Sequence, residues 1–125
     1  MPKKEKTYPE SHYHKPNPVP VRQPEPPGIV LTKLLESKGI DLKEFTSRVA
    51  RNARYPYLST KLLFEGHPGY EMIAPIAYQL EVELGISGGF WMALQDDRDM
   101  WPLRRAAFEK QLKQSERNEN KKNSR

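Results

Sequence analysis

The chain has 125 residues, with twelve prolines, no cysteine and a net charge of +5. The lack of cysteine excludes a disulfide scaffold and a thiolate zinc site. No apolar run approaches the roughly 20 residues that a membrane span needs, and the N-terminal stretch lacks the apolar centre of a signal peptide, so we expect a cytoplasmic protein with no membrane partner.

Residues 1–27 form a distinct N-terminal segment that holds eight of the twelve prolines and almost no aliphatic periodicity. Such a segment cannot bury enough apolar surface to offset its ordering entropy, which predicts a disordered or polyproline-like arm that becomes ordered on a partner. His12 and His14 flank Tyr13 in this arm. They lack a third ligand at a usable spacing, so we expect no metal site and no cofactor.

Two amphipathic helices follow the arm. The first has three leucines on one face, Leu31, Leu34 and Leu35, and ends at Gly39, a residue type that suits the position after a helix. Asp41 and Glu44 form a variant of the capping box, which predicts the start of a second helix. That helix runs to about Arg51, with Leu42, Phe45 and Val49 on its buried stripe.

The third predicted helix, YLSTKLLFEG, begins after Pro56 and ends at Gly66. Its spacing turns Leu58 and Leu62 inward and leaves Tyr57, Ser59, Thr60 and Lys61 nearer to solvent. The link before it, NARYP, is polar, contains no glycine and is predicted to be longer than usual for two such helices.

The fourth helix has the cleanest apolar stripe of the chain, formed by Ile73, Ile76, Ala77, Leu80 and Leu84. Pro75 is expected in its first turn and Gly85 at its end. Ser87 is placed to cap a fifth helix, in which Phe90 and Trp91 are predicted to be core residues. Past Pro102, a basic amphipathic helix begins and continues into a charged tail.

These elements predict an all-α chain in three parts: the arm (1–27), a helical domain (28–101) and the basic C-terminal helix and tail (102–125). The sequence contains no strand pattern, no glycine-rich phosphate loop and no nucleophile beside a histidine or carboxylate pair, so we expect no enzymatic activity. A helical domain of this size with Trp101 at its exposed edge predicts a homodimer.

Charge is unevenly distributed within the helical domain. The stretch from Lys43 to Lys61 holds five cations and one anion, whereas the stretch from Glu65 to Asp99 holds seven anions and one cation. One interpretation is a basic surface that faces a polyanion and an acidic surface that faces a basic partner. Two ordinary solvated faces explain the same pattern equally well.

The segment LGISGGFWMALQ (84–95), together with the preceding order of helices, resembles the HigA-type antitoxins, which belong to the Cro/repressor-like helix-turn-helix proteins. The resemblance covers Pro26 to about Trp101. It implies a five-helix DNA-binding domain that dimerises, represses its own operon and neutralises a toxin, commonly a ribonuclease of the RelE-like type.

The same resemblance implies site residues. In such folds the third helix enters the major groove and the second crosses the phosphate backbone. The residues expected nearest to base edges are Tyr57, Ser59, Thr60 and Lys61. Those expected nearest to phosphates are Lys43, Arg48, Arg51 and Arg54. Contacts with the dimer mate or the toxin are expected at Trp101, Leu103 and Phe108.

An alternative function follows from the composition of the third helix. Its predicted outer face carries no arginine, glutamine or asparagine, the side chains that make bidentate contacts with bases. The alternative is therefore a protein-binding module of the same fold that has lost sequence-specific DNA binding.

Overall fold

The computed structural model describes residues 18–123, with side chains described for residues 18–120. Five α-helices and no strand are present in this part of the chain, so the prediction of an all-α chain is confirmed. The helices are α1 (Pro27–Lys38), α2 (Leu42–Ala53), α3 (Tyr57–Phe64), α4 (Ala74–Leu84) and α5 (Gly88–Asn123). None of the described helices is long and apolar enough to cross a bilayer.

The described residues fall into two compact units. The helical unit is Pro24–Met100, and the arm-helix unit combines residues 18–23 with residues 101–123. Residues 24–27, which were predicted to be arm, therefore belong to the helical unit. The predicted arm residues 1–17, including His12 and His14, lie outside the described residues.

Three predicted helix caps, at Gly39, Asp41 and Gly85, are confirmed in the helical unit, whereas α3 ends at Phe64, two residues before the predicted Gly66. Gly39 and Gly85 follow α1 and α4 in the left-handed conformation, with φ of 70° and 72°. The Glu44 backbone N–H donates to Asp41 Oδ2 at 2.9 Å, which caps α2. Pro75 lies in the first turn of α4, where its missing N–H costs little.

The core of the helical unit is built around α2, which packs against both α3 and α4, while α1 packs against α3. Phe45 of α2 and Phe64 of α3 are buried with ring centroids 6.3 Å apart. Trp91 of α5 is fully buried in the same cluster. Burying each such side chain stabilises the fold by roughly 1.5–3 kcal/mol.

The face that α5 turns to the core differs from the prediction. Trp91 is buried as expected, but Phe90 is 44% exposed and packs edge-on against the Trp91 ring. The buried neighbour of Trp91 on this face is Gln95, four residues later. Its Oε1 accepts the Met72 backbone N–H at 2.9 Å and its Nε2 donates to Asp99 Oδ1 at 3.0 Å, so its polar atoms are satisfied.

The predicted break at Pro102 is absent, because Pro102 lies inside α5. A proline inside a helix removes one backbone hydrogen bond and costs about 3 kcal/mol. In the arm-helix unit, Trp101 and Arg105 on either side of Pro102 both donate to main-chain carbonyls of residues 19–20.

Gly28, in the first turn of α1, lies against the backbone at the end of α3. A Cβ built at Gly28 would overlap the Leu63 carbonyl oxygen and lie 2.8 Å from the Phe64 Cα. Both neighbours are backbone atoms, which cannot rotate away as a side chain can. The packing of α1 on α3 therefore requires glycine at this position.

We expect Gly28→Ala to lower the free energy of unfolding by about 2 kcal/mol or more, because the added methyl group forces α1 away from α3. Urea unfolding followed by circular dichroism measures the change. The matched control is Gly89→Ala, since a Cβ there meets only the Ser87 hydroxyl at 3.4 Å. Equal effects of the two substitutions would show that the approach at Gly28 is not tightly constrained.

Candidate nucleic-acid interface

The link between α2 and α3 has three residues, Arg54 to Pro56, so the prediction of a longer connection is wrong. The chain turns this sharply because Arg54 adopts the left-handed conformation, with φ of 55°. Its backbone N–H donates to the Arg51 carbonyl, and the Tyr55 N–H donates to the Ala50 carbonyl at 3.0 Å. Arg54 thus occupies a position for which glycine is the usual residue.

Of the four residues predicted nearest to phosphates, one forms an ion pair with another helix. Arg48 Nε donates to Glu83 Oε1 at 2.9 Å, and its guanidinium lies 5.6 Å from the Phe45 ring centroid. Arg48 therefore ties α2 to α4, and its charge is balanced. Lys43, Arg51 and Arg54 are exposed and have no side-chain partner within residues 18–120.

The fifth cation of the predicted basic stretch is also paired. Lys61 Nζ lies 2.8 Å from Glu65 Oε2, one turn later on the same helix face. This hydrogen bond raises the pKa of Lys61 and lowers that of Glu65. Both side chains are solvated, so the pair contributes little to stability. Its main effect is to reduce the positive potential beside α3.

The outer face of α3 is only partly the predicted one. Tyr57 is 39% exposed and Lys61 is half-buried. Thr60 is fully buried and its hydroxyl donates to the Pro56 carbonyl at 2.9 Å, so its predicted place near base edges is wrong. Leu58, predicted to face inward, is 62% exposed. Ser59 is half-buried.

The helix is rotated relative to the prediction because Leu63 and Phe64 are both buried. Thr60 precedes them by three and four residues and shares their face. The buried face of α3 therefore contains Thr60 rather than Leu58.

A cleft of about 290 Å³ opens between α2 and α3. Leu42 and Phe64 form its apolar side, next to Thr46, whose hydroxyl donates to the Leu42 carbonyl. The polar lining consists of Lys43, Tyr57, Lys61 and Glu65. Tyr57 and Lys61 are one turn apart, so both side chains project from the same face of α3.

The predicted contact residues Trp101, Leu103 and Phe108 all lie in the arm-helix unit. Leu103 is the most exposed of the three, at 66%. Trp101 is half-buried and its Nε1 donates to the Pro20 carbonyl at 2.7 Å. Phe108 is half-buried, and the Arg105 guanidinium lies 5.5 Å from its ring centroid.

Two residues that organise these surfaces were not singled out from the sequence. Arg105 binds the arm main chain, and Gln95 supports the segment that precedes α4 through Met72. The spacing of Gln95 from Trp91 is a usable signal, because a polar residue four positions from a buried aromatic in a helix shares its face. Nothing in the local sequence distinguishes Arg105 from the other basic residues of the tail.

The arrangement is suited to contacts with phosphate. Lys43 is near the start of α2, whereas Arg51 and Arg54 lie at its end. All three are exposed, and long cationic side chains of this kind neutralise phosphates without base selectivity.

Comparisons of the chain with protein-family models, with curated proteins and with solved structures gave no match.

We expect Arg54→Gly to raise the free energy of unfolding by up to about 1 kcal/mol, because glycine adopts positive φ without the steric cost of a Cβ. Arg51→Gly is the matched control: it removes the same side chain from inside α2 and should lower stability by about 1 kcal/mol. Thermal and urea unfolding measure both. If the two variants lose the same stability, the conformation of Arg54 carries no strain.

Proposed function

We propose that this chain is the antitoxin of a type II toxin-antitoxin module, which represses its own operon through helix-turn-helix DNA binding and neutralises a ribonuclease toxin of the RelE-like type. The first activity belongs to α2 and α3. The second requires a protein partner, and a homodimer is part of the proposal because operators of such repressors consist of two half-sites.

The observation that carries the DNA-binding half is the α2–α3 connection. Helix-turn-helix motifs join their helices by three or four residues and often place glycine in the turn. Here the link has three residues and Arg54 takes the left-handed position. Tyr57 on the first turn of α3 is exposed and lines the same cleft as Lys43, which has no side-chain partner within residues 18–120, so this surface of the pair is open to a phosphate backbone.

The toxin-binding half rests on the resemblance of residues 84–95 to the HigA-type antitoxins. Within this segment, the fully buried Trp91 fills the core and Gln95 holds the Met72 main chain. These two residues therefore have a structural role in this chain. The surfaces on which a toxin would bind are left to the exposed residues of the chain.

A specific observation favours the alternative of a protein-binding module without base-specific DNA contacts. Leu58 projects from α3 with 62% of its surface exposed, and Lys61 is paired with Glu65. The outer face of α3 is thus more apolar and less cationic than its sequence indicates. Phosphate contacts remain available to Lys43, Arg51 and Arg54. Direct contacts with bases are limited to Tyr57, Ser59 and Lys61.

The DNA-binding test is a gel shift with the DNA upstream of the chain's own gene over a range of salt concentrations. We expect binding that weakens steeply with salt, because each phosphate contact releases counterions. Arg51→Gln should reduce the slope of log affinity against log salt by about 1 and weaken binding to all sequences about equally.

The matched control for this test is Lys33→Gln, which removes one charge from α1, where Lys33 pairs with Glu25 at 2.8 Å. It should leave the salt slope unchanged. The absence of retardation at low salt, with the protein folded by circular dichroism, would eliminate the repressor activity and leave the protein-binding alternative.

The toxin-binding test is co-expression with the product of the neighbouring gene. We expect that product to arrest growth when expressed alone and to be neutralised by the chain. Arg51→Gln should neutralise as well as the unaltered chain, because it affects only the contact with DNA. Persistent growth arrest with the full chain, under conditions where both proteins accumulate, would contradict the antitoxin function.

A further inference from the structure

Two side chains of the arm-helix unit bind the main chain of the proline-rich arm. Trp101 Nε1 donates to the Pro20 carbonyl at 2.7 Å. One helical turn later, Arg105 Nη1 donates to the Val19 carbonyl at 2.9 Å. The arm residues 18–20 are in neither helix nor strand, and Pro20 has no N–H to donate. Two consecutive carbonyls of a segment without regular secondary structure are therefore held by two donors on one helix face.

Arg105 is fixed in this position by two further contacts. Its Nε donates to Glu109 Oε2 at 3.0 Å, and its guanidinium stacks near the Phe108 ring. The side chain is only 20% exposed, although it lies in a strongly charged part of the chain. Because its orientation is held by α5 itself, little side-chain entropy is lost when a carbonyl binds.

This geometry is suited to one class of ligand. A proline-rich segment in the polyproline II conformation makes no internal hydrogen bonds, so its carbonyls need donors from outside. Aromatic side chains on a receptor surface recognise such segments at low entropic cost, because the conformation is already formed in the free peptide. Trp101 supplies both a ring and a donor, and Arg105 supplies the second donor.

We propose that Trp101 and Arg105 form a binding surface for extended proline-rich peptides, and that the arm residues Pro18 to Pro20 are its resident occupant. Trp101 and Arg105 belong to α5, whereas the proposed DNA contacts belong to α2 and α3. A peptide supplied by another molecule must displace the arm, which is present at an effective concentration on the order of millimolar because it is covalently attached. The arm thus acts as a built-in competitor.

The test uses a fluorescein-labelled peptide of sequence PVPVRQP, which copies residues 18–24, and measures fluorescence anisotropy with the full chain. We expect weak binding to the unaltered chain. The double substitution Pro18→Gly and Pro20→Gly in the chain should increase peptide affinity several-fold, because glycine raises the entropy cost of docking the arm and leaves the surface itself intact. The same two substitutions in the peptide should decrease its affinity.

Two further substitutions, made in the Gly-substituted chain, test the donors. Trp101→Phe retains an aromatic ring but removes the N–H, and should weaken peptide binding by about three- to tenfold. Arg105→Lys retains the charge but loses the planar fork, and should have a similar effect. Leu103→Ala is the matched control on the same helix. Leu103 is largely exposed, and its loss should leave peptide affinity unchanged.

The outcomes separate the possibilities. Equal binding of the proline and glycine peptides would overturn the ligand class. An undiminished affinity of the Trp101→Phe chain, or a loss with Leu103→Ala as large as with Trp101→Phe, would overturn the assigned surface. If the glycine substitutions in the chain fail to increase affinity, the arm is not the competitor and the proposal fails.

Discussion

The close backbone approach at Gly28 fixes how the rest of the helical unit is arranged. The first turn of α1 lies against the backbone at Leu63 and Phe64, which are the last residues of α3. Because this end of α3 is held inward, the preceding turn places Thr60 in the core and leaves Tyr57 at the surface. A glycine in one helix thus contributes to which side chains another helix exposes.

The local features of the fold are predictable from the sequence, but the rotation of helices with two apolar faces is not. The ends of α1, α2 and α4 depend on Gly39, Asp41 and Gly85, whose effects are confined to neighbouring residues. In α3, by contrast, apolar residues occur on both sides of the helix, at Leu58 as well as at Leu63, and only the packing against α1 and α2 selects the buried side. The adjacent residues Phe90 and Trp91 pose the same ambiguity in α5.

The sequence predicts which cations the candidate interface contains, but it does not predict all of the ion pairs that they form. Sequence places five cations between positions 43 and 61, but Arg48 finds its partner Glu83 thirty-five positions away on another helix. No local pattern indicates that pair. Lys61 and Glu65 do have helical i,i+4 spacing, so this neutralisation was accessible from the sequence. What remains for a polyanion is a smaller set of exposed cations at the two ends of α2.

Proline-rich segments impose a requirement on the helix that follows them. They lack many backbone donors yet keep every carbonyl, so stable docking needs donors from side chains. Within the helical unit, Arg98 donates to the Pro24 carbonyl. Within the arm-helix unit, Trp101 and Arg105 donate to Pro20 and Val19. Two of the arginines that contribute to the net positive charge, Arg98 and Arg105, thus donate to uncharged main-chain carbonyls. The guanidinium groups of Arg98 and Arg105 are therefore already engaged by the chain's own carbonyls, whatever they add to the net charge of α5.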